Sequence, residues 1–295
     1  MSGRDNSVGA GLLAAAMTLF TIGDTFVKLL AERVPIGQVI CFRNILTTLL
    51  IALAWAIRRD LIRPRDLLDR GVLLRSLFDT ATTLLYLYGV AMLPLGDAAA
   101  ILFVSPLLAT GLAGILLGER VGPVRWVAVT VGFAGVLLIV QPGGAAFRPA
   151  TLLPLAAAGT MALADIVTRR IRPDVGAPTI VAANVVSVAL AAGVATLLDA
   201  RPLAVGDLAS FTVAAGFLLL GYLTYVLAFR RGEVSFIAPF KYAGLPVAML
   251  LGWLAWGDVP TPPVLLGAAL IVGTGLVALA AERRRGPLPV ATSGG

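Results

Sequence analysis

Along this chain apolar residues run for about 20 positions at a time, the length a helix needs to cross the hydrocarbon core of a bilayer. Ten segments have this character, at about 8–30, 36–57, 72–93, 96–117, 124–140, 150–168, 177–198, 208–229, 234–256 and 262–281. The connections between them are short and marked by Pro, Gly and Arg, as in "RRDLIRPRDLLDRG" and "RRIRPDVGAP". They leave no room for a soluble domain. The pattern predicts an all-α integral membrane protein of ten spans.

Composition agrees and adds an orientation. Hydrophobic residues make up 59% of the 295 positions and charged ones only 13%, with a mean hydropathy of +0.95. An ordinary globular domain is roughly 45–50% apolar and about 25% charged. With the N-terminus inside, sixteen Arg residues fall in inside segments, and only Arg33, Arg148 and Arg201 in outside ones. That asymmetry predicts both termini in the cytoplasm and a protein of the inner (plasma) membrane. It also explains the net charge of +7 without nucleic acid as a partner. The first apolar stretch is longer than the roughly 7–15 residues of a cleavable signal, so it reads as a span that stays.

Several chemistries are excluded. There is no histidine, and Cys41 is the one cysteine, so no disulfide, Cys-rich metal site or imidazole base is written here. No G-x-S-x-G and no P-loop G-x-x-x-x-G-K-[ST] occur, which leaves an intramembrane enzyme or an ATP-driven pump without machinery. No metal or cofactor is expected.

The chain resembles itself at an offset near 139–140. "YLYGVAMLPLGDAAAILFVSPLLATGLAGILLGERV" aligns with "YVLAFRRGEVSFIAPFKYAGLPVAMLLGWLAWGDVP", so that Tyr86 meets Tyr225, Gly118 meets Gly257 and Glu119 meets Asp258. "DTFVK" (Asp24, Lys28) answers "DIVTR" (Asp165, Arg169), and Asn44 answers Asn184. Each half holds five spans, an odd number, so the halves enter the membrane from opposite sides, as in many secondary transporters. The repeats are expected at 1–145 and 146–285, followed by a tail at 286–295.

Ten spans in a five-plus-five arrangement, an acid after the fourth span of each half ("LLGERV", "AWGDVP") and a glycine-bearing fifth span ("VGFAGVLLIV", "LIVGTGLVAL") resemble the drug/metabolite transporter superfamily. The likeness is to its EamA-type members and covers essentially the whole chain, and the chain looks similar to the YddG-type exporters of aromatic and other amino acids. The resemblance implies export of amino acids and related small metabolites by alternating access. Asp258 departs from it, standing where these proteins often carry Glu. An exchanger of phosphorylated or nucleotide-linked metabolites on the same fold is the alternative. Its cargo calls for converging cations, which Lys241, Arg43 and Arg75 do not obviously supply.

Candidate binding residues are the ionisable and aromatic side chains inside spans. Lys241, in "FIAPFKYAGLPVAMLLGW", lies roughly 10 Å deep at 1.5 Å per residue, and Asp79 in the third span is at the same depth. Two roles are open to Lys241: a fastening with Asp79, or a hold on a substrate carboxylate. Asp79 also has Arg75 at i−4. Nearer the outside, Asp24 and Arg43 form a second expected pair, with Asn44 beside Arg43. Lys28 is expected to snorkel to water, and Asp165 to sit at the interface. Phe78 and Tyr86 offer an apolar wall beside Asp79. Pro106, Pro154, Pro239 and Pro246 interrupt spans, and Pro106, Pro239 and Pro246 are candidate hinges. Ala128/Gly132 and Ala269/Gly273, each four apart, are expected to pack the fifth and tenth spans closely.

Overall fold

A computed structural model of the chain describes residues 3–59, 62–116, 122–168, 170–172, 174–231 and 237–284. Regular structure among them is helical: α1 (Gly3–Ala31), α2 (Ile36–Ile57), α3 (Arg70–Met92), α4 (Leu95–Leu102), α5 (Ser105–Leu116), α6 (Pro123–Val140), α7 (Leu152–Thr168), α8 (Ala177–Leu198), α9 (Val205–Arg231), α10 (Gly244–Trp256) and α11 (Pro262–Arg284). Short 3₁₀ turns occupy Pro64–Leu68, Pro149–Thr151 and Ala238–Ala243. Glu119, singled out from the sequence, lies outside the described residues.

Among the described residues six stretches are long and apolar enough to cross a membrane: Asn6–Ala31, Ile36–Ile57, Leu95–Leu116, Pro149–Thr168, Ala177–Leu198 and Gly206–Ala228. Trp126–Val140 and Pro262–Ala278 are shorter apolar helices. The third expected span forms α3, but Arg70, Arg75 and Asp79 dilute its apolar character. The outer faces of these helices carry large bare side chains, among them Leu49, Leu53, Leu77, Leu190 and Leu254. A water-facing surface does not tolerate so many, whereas lipid does.

Two of the expected spans are not single helices. The segment 96–117 breaks at Phe103–Val104, between α4 and α5. The segment 234–256 contains the 3₁₀ turn Ala238–Ala243 followed by the 13-residue α10. The prolines explain both breaks, though not as kinks. Pro106 is the second residue of α5 and Pro246 the third of α10, while Pro239 stands in the first turn of the 3₁₀ segment. Each sits where a helix begins and its missing N–H costs least, so each starts a helix after a break. Pro154 starts α7 in the same way.

The most extensive packing pairs α1 with α9, α6 with α11, α3 with α7 and α2 with α8, followed by α3 with α8, α2 with α9, α5 with α7 and α4 with α10. Buried cores fill between them. One gathers Ile101, Val104, Leu107, Val136, Leu245 and Ile271, and a second gathers Val27, Leu30, Ile40, Leu87, Val188 and Phe211. The close approach of α6 and α11 uses other glycines than expected. A Cβ on Gly135 would meet the Gly267 carbonyl at 2.7 Å, and one on Gly267 would meet the Gly135 carbonyl at 2.5 Å. Gly132 does pack, against Leu107 and Thr274, but Gly273 has nothing within 4 Å of its missing Cβ.

Polar ties fix the ends. Asp69 caps α3, accepting from the Gly71 and Val72 N–H groups at 2.9 and 3.3 Å. Arg172 reaches from the α7–α8 connection to Asp66 at 2.8 Å and Asp69 at 3.3 Å. At the other end, Gln38 donates to the Arg201 carbonyl and accepts from its N–H, at 2.9 and 3.0 Å. Lys28 does not run to water. Its Nζ donates to the Val90 carbonyl at 3.1 Å and to that of Leu93, and lies 5.1 Å from the centre of the Trp256 ring. The Trp256 indole in turn donates to Glu32 at 2.5 Å. This knot joins α1 to the end of α3 and the end of α10. The carbonyls belong to the last turn of α3 (Val90) and to the residue that follows it (Leu93), where no intrahelical donors are left for them.

Candidate functional site

The two breaks come together. The Phe103 ring, at the α4–α5 break, lies 5.8 Å from the Tyr242 ring, in the 3₁₀ turn before α10. Gly244 allows the approach, since a Cβ there would sit 3.2 Å from Phe103 Cζ and 3.3 Å from Thr21 Oγ1. Lys241 is the neighbour of Tyr242, and its Nζ lies 5.8 Å from the centre of the Tyr225 ring on α9. The aromatic path continues to Phe20 of α1, 6.5 Å from Tyr225 and 5.2 Å edge-on from Tyr222. Gly221 makes room for Phe20, because a Cβ there would meet its ring at 2.6 Å.

Polar groups form two layers on this aromatic spine. In the first, Arg43 of α2 meets Asp24 of α1 at 3.5 Å, and the Asn184 amide of α8 donates to the Tyr222 hydroxyl at 3.1 Å. Tyr222 is within electrostatic reach of Arg43, and Tyr86 of Asp24. In the second, Arg75 pairs with Asp79 and donates through Nε to Thr168 at 2.7 Å. Asp165 of α7 lies within electrostatic reach of both Asp79 and Lys241. Thr82 and Thr160, 2.8 Å apart, tie α3 to α7 alongside.

Three acids (Asp24, Asp79, Asp165) and three bases (Arg43, Arg75, Lys241) therefore share this region. Charges inside a membrane persist where they are paired, and this set sums to zero. The site is polar without being a cation trap or an anion trap.

Most residues expected from the sequence meet here, but in altered partnerships. Asp24 and Arg43 pair as expected. Asp79 takes Arg75, the alternative at i−4, because that guanidinium is on its own helix face. Lys241 accordingly has Tyr225 and Asp165 as its neighbours instead of Asp79. Asn44 turns away, its amide donating to the Ile40 carbonyl of its own helix at 2.8 Å. Its counterpart Asn184 is the one that reaches the site. Phe78 is half-buried on α3 beside Asp79. Sequence reasoning did not single out Phe20, Asn184, Tyr222 and Tyr225 as site residues. The signal for Asn184 and Tyr225 was their alignment with Asn44 and Tyr86. A separate groove of about 520 Å³ lies between α6 and α11, lined by Val124, Val127, Ala269, Gly273 and Val277. It is apolar and remote from the charged centre.

A bundle with a lipid-facing apolar surface and a polar centre where two broken helices meet has the architecture in which membrane carriers place their binding sites. Comparison with known proteins agrees. Residues 7–141 match the EamA-like transporter family. The chain is 33% identical over 210 residues to a riboflavin transporter of Rhizobium johnstonii, covering 67% of this chain and 66% of that protein. It is 32% identical to a riboflavin transporter of Vibrio cholerae, over 64% of each chain. These two matches thus span just under two thirds of the relatives' lengths. An S-adenosylmethionine uptake transporter of Rickettsia conorii matches at 24% over 94% of both chains, and a pseudopaline exporter of Pseudomonas aeruginosa at 26% over 89% of this chain and 93% of that one. A crystal structure superposes with a TM-score of 0.62 at 20% identity, over 96% of this chain and 100% of the other, a likeness of fold. Over residues 7–141 the chain is similar to the EamA-like transporters of the drug/metabolite transporter superfamily, and the relatives it matches are named as transporters. The cargoes named for these relatives differ from the simple amino acids expected from the sequence.

Proposed function

We propose that this chain is a secondary transporter that carries a neutral, planar heteroaromatic metabolite of the riboflavin class across the inner membrane by alternating access. The observation that carries the reading is the meeting of the two helix breaks at Phe103/Tyr242, beside a charge-balanced centre walled by Phe20, Tyr222 and Tyr225. Aromatic faces suit a flat ring, and paired charges suit a cargo with no net charge. The names of the two riboflavin transporters support the same class. A phosphorylated cargo is disfavoured, since each cation already faces an acid.

The reading includes ten spans in two inverted halves, 1–145 and 146–285, with the tail at 286–295 and both termini cytoplasmic. Packing supports it. Exchanging the first five spans with the last five turns the α1–α9 pair into the α3–α7 pair, and leaves α2–α8 and α6–α11 unchanged. Two interchangeable halves give two states of similar energy, which alternating access needs. The prolines at both breaks then serve as hinges.

One feature favours a second reading, export of an amino acid. The Lys241 ammonium stands at a break, where it is placed to take a carboxylate. The test is flux in liposomes holding purified protein, with riboflavin, aromatic amino acids, S-adenosylmethionine and a sugar phosphate compared. Saturable riboflavin flux is expected. Flux of aromatic amino acids alone selects the second reading, and flux of the sugar phosphate alone overturns both.

A further inference from the structure

Arg43 and Asn184 are among the most buried polar side chains of the described residues. Arg43 is 3% exposed and Asn184 6%. The Arg43 guanidinium spends Nη1 on Asp24, while its Nε has no partner. The Asn184 amide spends Nδ2 on Tyr222, while its Oδ1 has no partner. Native interiors rarely leave such groups unmade, because each forfeits its hydration without replacement. Here one is a donor on α2 and the other an acceptor on α8, two helices packed on one another; Asn184 bonds the Tyr222 hydroxyl, and Arg43 lies within electrostatic reach of it. The neighbouring Phe20 and Tyr222 rings are edge-on to one another at 74°, forming an apolar corner.

We infer that Arg43 Nε and Asn184 Oδ1 read a carbonyl and the adjacent N–H on one edge of a flat ring, so that this layer recognises a cyclic imide. The ring carbonyl accepts from Arg43, and the ring N–H donates to Asn184. The layer therefore sets specificity, whereas Lys241 and Asp165 lie at the other end of the aromatic spine. A site built to hydrogen-bond a group rejects an analogue that lacks it far more strongly than an apolar pocket rejects a size change. This inference rests on the reading that cargo occupies the centre between the breaks.

The decisive comparison is between cargoes that differ by one methyl. In liposomes, riboflavin is set against its N3-methyl derivative, which has lost the ring N–H. Uridine is set against N3-methyluridine in the same way. Wild type is expected to prefer the unmethylated member at least tenfold in whichever pair it carries. Asn184→Leu, close in volume and without the acceptor, is expected to lose that preference. Arg43→Lys keeps the charge beside Asp24 but lacks Nε–H, and is expected to slow flux while keeping the preference. The wild-type comparison needs no variant, so it stands even if Asn184→Leu folds poorly. Equal flux of both members by wild type, or a preference that survives in folded Asn184→Leu, overturns the imide assignment. Absence of riboflavin flux with discrimination inside the uridine pair overturns only the flavin reading.

Discussion

Gly135→Ala adds one methyl where α6 crosses α11. Its carbon would sit 2.7 Å from the Gly267 carbonyl oxygen and 3.2 Å from both Ile271 Cγ1 and Leu270 Cβ. Ordinary contact begins near 3.4 Å. The oxygen is backbone and cannot swing aside, so the helices must part by roughly 0.7 Å, and overpacking of this kind costs about 1–3 kcal/mol. Alanine is the better helix former by about 0.8–1 kcal/mol, which offsets part of the loss. A net destabilisation of about 1–2 kcal/mol is expected. Gly273→Ala on α11 is the control, because nothing lies within 4 Å of its new methyl. There the propensity gain stands alone, and stability is expected to hold or rise by up to about 1 kcal/mol. Reversible unfolding in mixed sodium dodecyl sulfate and non-ionic micelles, followed by tryptophan fluorescence, reads the difference. A Gly135→Ala midpoint at or above that of Gly273→Ala would refute the crossing as described.

Lys28→Met strands the Val90 and Leu93 carbonyls and removes the cation from the Trp256 ring, so the same unfolding assay should show a loss of about 1–3 kcal/mol. Gln38→Ala breaks both bonds to Arg201, and hydrogen exchange should quicken at the Arg201 amide while that of α3 is unchanged. Lys241→Met should cut flux at least tenfold, a charged hydrogen bond being worth about 1.5–3 kcal/mol. Because Asp79 is held by Arg75, the stability effects of Lys241→Met and Asp79→Asn should add to within about 0.5 kcal/mol; recovery in the double variant would restore the Lys241–Asp79 fastening.

Much of the helical layout was legible because length and hydropathy are local properties. α2, α6, α8 and α11 run close to the segments read from the sequence. The breaks were half legible. Pro106 and Pro239 announced a disturbance, but a proline is equally at home in a kink or in a first turn, and only packing against Tyr242 decides for Phe103–Val104. Depth matching brought Lys241 and Asp79 to one level, yet level says nothing of azimuth. Arg75, one turn from Asp79, needs no tertiary contact to find it, whereas Lys241 depends on where α9 sets Tyr225. Small-residue spacing misdirected the α6–α11 crossing for a similar reason. Gly132/Gly135 and Gly267/Gly273 are all on the right helices, and only the crossing point selects Gly135 and Gly267.

The pairing of α1 with α9, α2 with α8, α3 with α7, α4 with α10 and α6 with α11 has a consequence for biosynthesis. Every helix finds its most extensive neighbour on the far side of residue 146, so no pair of early helices can complete its packing when it leaves the ribosome. α1 must wait in the lipid until α9 is made, some 170 residues later. Assembly is accordingly an event of the whole chain, and at the usual synthesis rate of about 5–20 residues per second that wait lasts on the order of ten seconds or more. Two fragments cut between α6 and α7 should mature only when made together, each acting as the other's folding template.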